Sequence, residues 1–297
     1  MTLLEIAINI HRYVPELDLA AVKEILKRRY QTLLSSWPWA ALRGVSYVYT
    51  KGTYSTGTVS VSSGSTSVTG SGTAWTSSHE GMFIRFGDER YYYTISSVGG
   101  NTSLTISPAY QGADDLSGSS YTIFQHIYSL PSDVAEVEAV VHDVKVKRSS
   151  RDAMDRFDPQ LTTTGPPWLW APVGEDSNQY QKIRLFPIPD QQYGVRVHYV
   201  KKIDYSDSAT CLLPEDLVEQ FTLVSCYQMA AIRNANYASL IPLASQQAQM
   251  LYQIAREDDL RHQDLPDQVK DEMFSAELPK GDDFLYKHDV YWWDAQR

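Results

Sequence analysis

The sequence predicts an α+β fold, with N- and C-terminal helices forming a helical bundle, antiparallel β insertions between them and an extended C-terminal tail. Three observations carry this. Apolar residues recur at helical spacing near both ends of the 297-residue chain. Between them, short runs of β-branched and small polar residues alternate at period two and are broken by turn residues. After about residue 262 no period is sustained.

Each element follows in order. Leu3, Leu4, Ile6, Ala7 and Ile10 form a short amphipathic helix that Pro15 interrupts. Asp18 suits the N-cap of a second helix. There Val22, Ile25, Leu26, Tyr30, Leu33 and Leu34 share one side, while Lys23, Lys27 and Arg28 occupy the other. Pro38 disfavours helical geometry at Trp37, so this helix ends in the wedge "SSWPWAALRG", a hydrophobic cap.

From Gly52 the texture changes. In "GTVSVSSGSTSVTGSGTAW", residues 57 to 75, Val59, Val61 and Val68 fall on even spacings around Gly64. A flexible linker would lack this alternation, and a phosphate loop of the G-x-x-x-x-G-K-[ST] kind would need a lysine. The stretch therefore reads as a β hairpin. A second strand pair flanks "GDER", and "TSLTISPAY" and "SYTIFQHIY" supply further strands around the polar loop "QGADDLSGS". Together they predict a small sandwich or barrel.

The region 131 to 205 is β-rich. Its opening, "LPSDVAEVEAVVHDVKVKR", reads as strand or short helix followed by strand. "GPPWLWAPVG" is extended, and Ile183–Phe186 and Tyr193–Val200 are strands joined by "PIPDQQ". Pro214, Glu215 and Asp216 open a helix with Leu217, Phe221, Val224, Met229 and Ile232 on its apolar side. A last helix, 243 to 262, carries Leu251, Ile254 and Ala255. The expected organisation is a helical domain from 1–50 and 206–262, a β insertion at 51–128, a β-rich middle at 129–205 and a C-terminal arm at 263–297.

Composition limits the function. Net charge is −10, which argues against a coat for nucleic acid and leaves open a surface that DNA slides past, where repulsion prevents sticking. The first residues lack a basic leader of the secretory kind, and no apolar run reaches the roughly 20 residues that cross a bilayer. Cys211 and Cys226 are expected on the order of 20 Å apart along a helix, too far for a bridge.

Catalytic and metal readings find little support. His79-Glu80 lacks the second histidine of a helical zinc site. His142-Asp143 and His198 sit in strand patterns, and His262 with Asp258 and Asp259 lies on a charged helix face. Asp152, Asp155 and Asp158 lack the glycine and closing glutamate of a calcium loop. Asp114-Asp115 reads as loop solvation, no G-x-S-x-G elbow occurs, and Cys226 reads as a small apolar filler. No catalytic residue, cofactor or metal is expected. What remains is surface. Lys23, Lys27 and Arg28, and Lys145, Lys147, Arg148 and Arg151, are candidate subunit or phosphate contacts. The acidic arm should be disordered alone, yet it carries Phe284, Leu285, Tyr286, Tyr291, Trp292 and Trp293. These large residues either fold back on the chain's own domain or, the reading favoured by their interface-anchoring types, meet a partner or neighbouring subunit.

The combination of "LLSSWPWAALRG", "LPSDVAEVEAV" and "GPPWLWAPVGEDSNQYQKIRLFPIPDQQYGVRVHYVKK" with two C-terminal helices resembles the head-to-tail adaptor (connector) proteins of tailed bacteriophages, particularly short-tailed ones. The resemblance spans roughly residues 1–50 and 130–262. It implies a non-enzymatic ring, commonly of twelve copies, that lies beneath the portal and extends the DNA channel toward the tail nozzle. It further implies portal protein, tail nozzle or tail fibre proteins and sister subunits as partners, with double-stranded DNA passing unbound and no membrane. The place would be the virion neck, after assembly in the bacterial cytoplasm. Two alternatives stand beside it. Trp75, Tyr91, Tyr92, Tyr93 and Tyr110 would stack on sugars in a carbohydrate- or host-binding β module. A polysaccharide hydrolase would need a carboxylate pair that nothing in the chain nominates.

Overall fold

A computed structural model describes residues 1–262. The expected arm, with its six aromatic and apolar anchors, lies outside the described residues. Those described form five α-helices, α1 (Leu3–Tyr13), α2 (Leu19–Ser36), α3 (Arg151–Phe157), α4 (Glu215–Ala230) and α5 (Ile241–His262), and two seven-stranded sheets. The chain divides into two units, one made of Met1–Leu42 with Asp204 onward, the other of Arg43–Ile203.

The first unit is helical. Thr2 caps α1 in a reciprocal box: its hydroxyl accepts from the Glu5 amide at 3.3 Å, and the Glu5 carboxylate accepts from the Thr2 amide at 2.8 Å. Asp18 does stand at the N-cap of α2, but its side chain makes no capping hydrogen bond. α2 buries Val22, Leu26, Tyr30, Leu33 and Leu34 and stops where Trp37 turns extended before Pro38. Trp39 folds back, 2% exposed, and its indole N–H donates to the Leu33 carbonyl at 2.9 Å.

The apolar side expected for α4 needs correction. Its buried residues are Leu217, Val218, Thr222, Leu223, Ser225, Cys226 and Ala230, whereas Met229 and Ile232 are exposed. The reason is that α4 packs against α1, α2 and α5 together. Several neighbours bury a wide band that takes in small polar residues, and Thr222 satisfies its hydroxyl on the Val218 carbonyl at 2.7 Å. On α5 the small residues Ala244, Ala248 and Ala255 are buried, leaving Leu243, Met250 and Ile254 outside.

The second unit holds both sheets, each curled. One is antiparallel and comprises β2 (Thr58–Val61), β3 (Ser67–Ser71), β4 (Phe83–Phe86), β5 (Tyr93–Gly100), β6 (Ser103–Ser107), β7 (Leu116–Ser119) and β8 (Tyr121–Phe124), in the order β7-β2-β3-β6-β5-β4-β8. The serine- and threonine-rich stretch is its first hairpin, pairing Val59 with Gly70 and Ser60 with Thr69. Val59, Val61 and Val68 point inward and Gly64 turns at φ +77°. Gly70 is required by packing: a Cβ there would lie 2.7 Å from the Trp75 ring and 2.3 Å from the Thr73 hydroxyl. β7 lies inside what reads as a polar loop, because its pairing with β2 supplies order that its own residues do not.

The other sheet comprises β1 (Arg43–Tyr49), β9 (Ile127–Ser129), β10 (Val134–His142), β11 (Val144–Arg148), β12 (Leu169–Glu175), β13 (Gln181–Phe186) and β14 (Gly194–Lys201), in the order β1-β14-β10-β11-β12-β13-β9. The ambiguous stretch from Val134 is strand throughout, turning at Asp143 with φ 52°. β13 and β14 are both present yet not paired. β13 joins β12 and β9, whereas β14 joins β1 and β10. One pair, β11 with β12, is parallel, so this sheet is mixed.

Candidate association surfaces

The residues weighed for chemistry take structural places. The His79 ring accepts from the Thr76 amide at 3.1 Å, and Glu80 accepts from the Val98 amide at 3.0 Å. His142 lies 4.8 Å from the Tyr193 ring and 3.6 Å from the exposed Asp143 carboxylate. His198 is half-buried on β14, opposite Val45. Asp258 lies 3.4 Å from Arg261, and Asp115 accepts from the Ser63 amide at 2.8 Å. Cys211 and Cys226 are both free, and burial pushes the Cys226 thiol up to about 12, away from thiolate chemistry.

Asp152, Asp155 and Asp158 do not converge. Asp152 sits in the first turn of α3, and Asp155 accepts from Arg184. Asp158 accepts from the Thr162 and Thr163 amides at 2.7 and 2.6 Å. Burial raises the Asp158 carboxyl, but the threonine donors outweigh it and hold the group below the ordinary carboxylate range. Among the described residues no group of three or more His, Cys, Asp or Glu is disposed to hold a metal ion.

Sequence reasoning missed the most unusual polar feature. Arg184 is 6% exposed on β13, and Nη1 donates to Asp155 Oδ1 at 2.6 Å. His126 is also buried, its ring stacked at 5.7 Å on Phe124 and 4.8 Å from Phe83. Burial and then the Arg184 charge push His126 down to about 3, so it is neutral under ordinary conditions. The available signal was an arginine inside the apolar run "KIRLFPIP".

The two basic clusters differ. Lys23 pairs with Asp207 at 2.5 Å, Arg28 with Glu24 at 3.0 Å, and Lys27 lies 6.0 Å from the Tyr205 ring. These three are engaged within the helical unit. Lys145, Lys147, Arg148 and Arg151 are exposed, with Arg148 5.4 Å from the Trp170 ring. Lys145, Lys147 and Arg148 belong to β11, in a sheet whose open face also carries Val45, Tyr47 and Tyr49, all more than half exposed, whereas Arg151 opens α3. Phe157 and Trp168, 6.3 Å apart, form a second exposed aromatic pair resting on Phe186.

The sugar-stacking set is corrected by the fold. Trp75, Tyr93 and Tyr110 belong to the core of the antiparallel sheet, each no more than 2% exposed: alternation turns Tyr93 inward from β5, and Trp75 and Tyr110 fold in from connecting segments. Tyr91 and Tyr92 stay outside. A cleft of about 390 Å³ opens beside Tyr49, lined further by Thr50, Lys51, Gly52, Ser78, His79, Met82 and Gln192. It brings together one lysine and one histidine but no carboxylate.

The comparisons supply the class: this is a bacteriophage adaptor, a structural component of the virion. The family model described as SU10 adaptor protein matches residues 115–275, more than half of the sequence, and the chain belongs to that family. The match takes in β7 and β8 of the antiparallel sheet and β9 to β14 of the mixed sheet, then α4 and α5. Comparison with curated proteins brings no match.

Proposed function

We propose that the protein forms a twelve-membered ring joining the portal of a short-tailed phage to its tail nozzle or tail fibre proteins. The ring would extend the DNA channel through the virion neck. The observation that carries this reading is the family membership, joined to an open sheet face of aromatic and basic residues. The terminal helices form the bundle through which subunits meet head to tail. The β insertion of 51–128 and the middle region of 129–205 present the sheet faces. The arm of 263–297 offers Phe284, Leu285, Tyr286, Tyr291, Trp292 and Trp293 to the portal or to a neighbouring subunit. Lys145, Lys147, Arg148 and Arg151 contact acidic surfaces of partners or passing phosphate. The net charge of −10 keeps double-stranded DNA from lodging in the lumen. No catalysis is required of such a part, and it assembles in the bacterial cytoplasm.

The test is native mass measurement of the protein expressed together with its portal. A large cyclic complex containing both is expected. A protein that stays monomeric and never binds a portal refutes the reading.

A further inference from the structure

The open face of the mixed sheet has a composition that points to its occupant. Val45, Tyr47 and Tyr49 stand on one side of β1, 52, 58 and 63% exposed. Strand register carries one row from Tyr47 across Arg196 and Val141 to Lys145, with both cations exposed. The next row joins Val45 to His198 and Ala139. The acidic Glu138 lies 3.6 Å from Arg43. β1 ends its sheet, so the patch borders an edge strand.

Such a face suits a partner that brings aromatics and carboxylates together. Aromatic rings stack on guanidinium and on tyrosine, and carboxylates pair with arginine and lysine. Duplex DNA would use the cations but has no use for three exposed apolar side chains in a row. The sequence contains one matching segment, residues 279–297. It interleaves Tyr286, Tyr291, Trp292 and Trp293 with Asp282, Asp283, Asp289 and Asp294. Residues 263–297 hold nine acidic and four basic residues, half of the net charge of −10.

We infer that this sheet face seats the 279–297 segment of a second copy of the chain. The inference rests on the ring reading and deepens it, because a contact between two different surfaces propagates around a ring. Fully extended, the residues after His262 span on the order of 115 Å, enough to reach an adjacent subunit.

The test uses the full-length protein with Tyr47 replaced by photoreactive benzoylphenylalanine, mixed as light and heavy isotopic forms, alone and with portal. The expected result is cross-linking of position 47 to peptides from 279–297, with light–heavy pairs among the products and a yield that falls several-fold from 0.05 to 0.5 M salt. Cross-links within one copy only, to other segments, or to copurified nucleic acid overturn the inference. In a second arm, Arg196→Glu with Lys145→Glu should weaken self-association about tenfold, and Asp282→Lys, Asp283→Lys and Asp289→Lys on the same chain should restore it. No weakening, or weakening without rescue, also counts against it. A portal-bound ring lacking these cross-links removes this contact and leaves the ring reading intact. The absence of any ring removes both.

Discussion

Arg184, buried on β13, is held by a single carboxylate, Asp155 of α3, at 2.6 Å, although Asp155 is itself 59% exposed in its side chain. Nε and Nη2 of Arg184 make no hydrogen bond among the described residues. Removing the carboxylate leaves a buried cation uncompensated, whereas removing the cation relieves its desolvation. Asp155→Ala is therefore expected to cost about 2 kcal/mol, discounted for the exposed side of the pair. Arg184→Met should cost less or nothing. Urea unfolding of both variants checks this, and the reverse order refutes it.

His126 makes stability depend on pH. Its folded value, about 3, lies below its unfolded one near 6.5, so the unfolded chain takes up the proton first. Its contribution is complete above pH 6.5 and is lost as the pH falls toward 3. At pH 5 the loss is about 2 kcal/mol. His126→Phe keeps an aromatic ring among Phe83, Phe124 and Tyr92. Its unfolding free energy should fall less between pH 6.5 and 4.5 than that of the unaltered protein. Equal slopes would show that His126 is not the titrating group.

The turn after α2 is clasped by α5. Asp259 accepts from the Trp37 indole N–H and from the Ala40 amide, both at 2.8 Å, and Arg256 stacks 4.1 Å over the Trp37 ring. Asp259→Ala should cost about 1–3 kcal/mol by stranding those donors. Trp39→Ala should cost about 3–5 kcal/mol through the cavity it leaves. Thermal or denaturant midpoints decide, and a neutral Trp39→Ala would contradict the buried placement.

Within the first hairpin, two glycines should respond differently. Gly70→Ala forces a methyl group against Trp75 and Thr73 and is expected to cost about 1–3 kcal/mol with a changed near-ultraviolet tryptophan signal. Gly64→Ala meets open space, so only its positive φ is penalised, at about 1 kcal/mol. If Gly64→Ala proved the more damaging, the packing account of Gly70 would fail.

Local features were legible from residue order. The valines at 59, 61 and 68, the stop at Trp37-Pro38 and the acidic first turn of α4 each depend on neighbours a few positions away. The outward side of α4 was misread because its band is set by α1, α2 and α5, not by its own spacing. β7 was missed because Leu116–Ser119 has no strand-forming character apart from its pairing with β2. Of the candidate surface, the lysines and arginine of β11 were visible, but Tyr47 and Arg196 were not linked to them.

By itself, the sequence determined the main helices and their stops, and the alternation of the first hairpin, since steric preference and period act over a few bonds. Only the tertiary structure decided that Arg43–Tyr49 pairs with Gly194–Lys201, that β13 and β14 part company, and that Tyr47, Arg196 and Lys145 share one row. Those outcomes depend on which distant surfaces bury each other best, and no local preference encodes that choice.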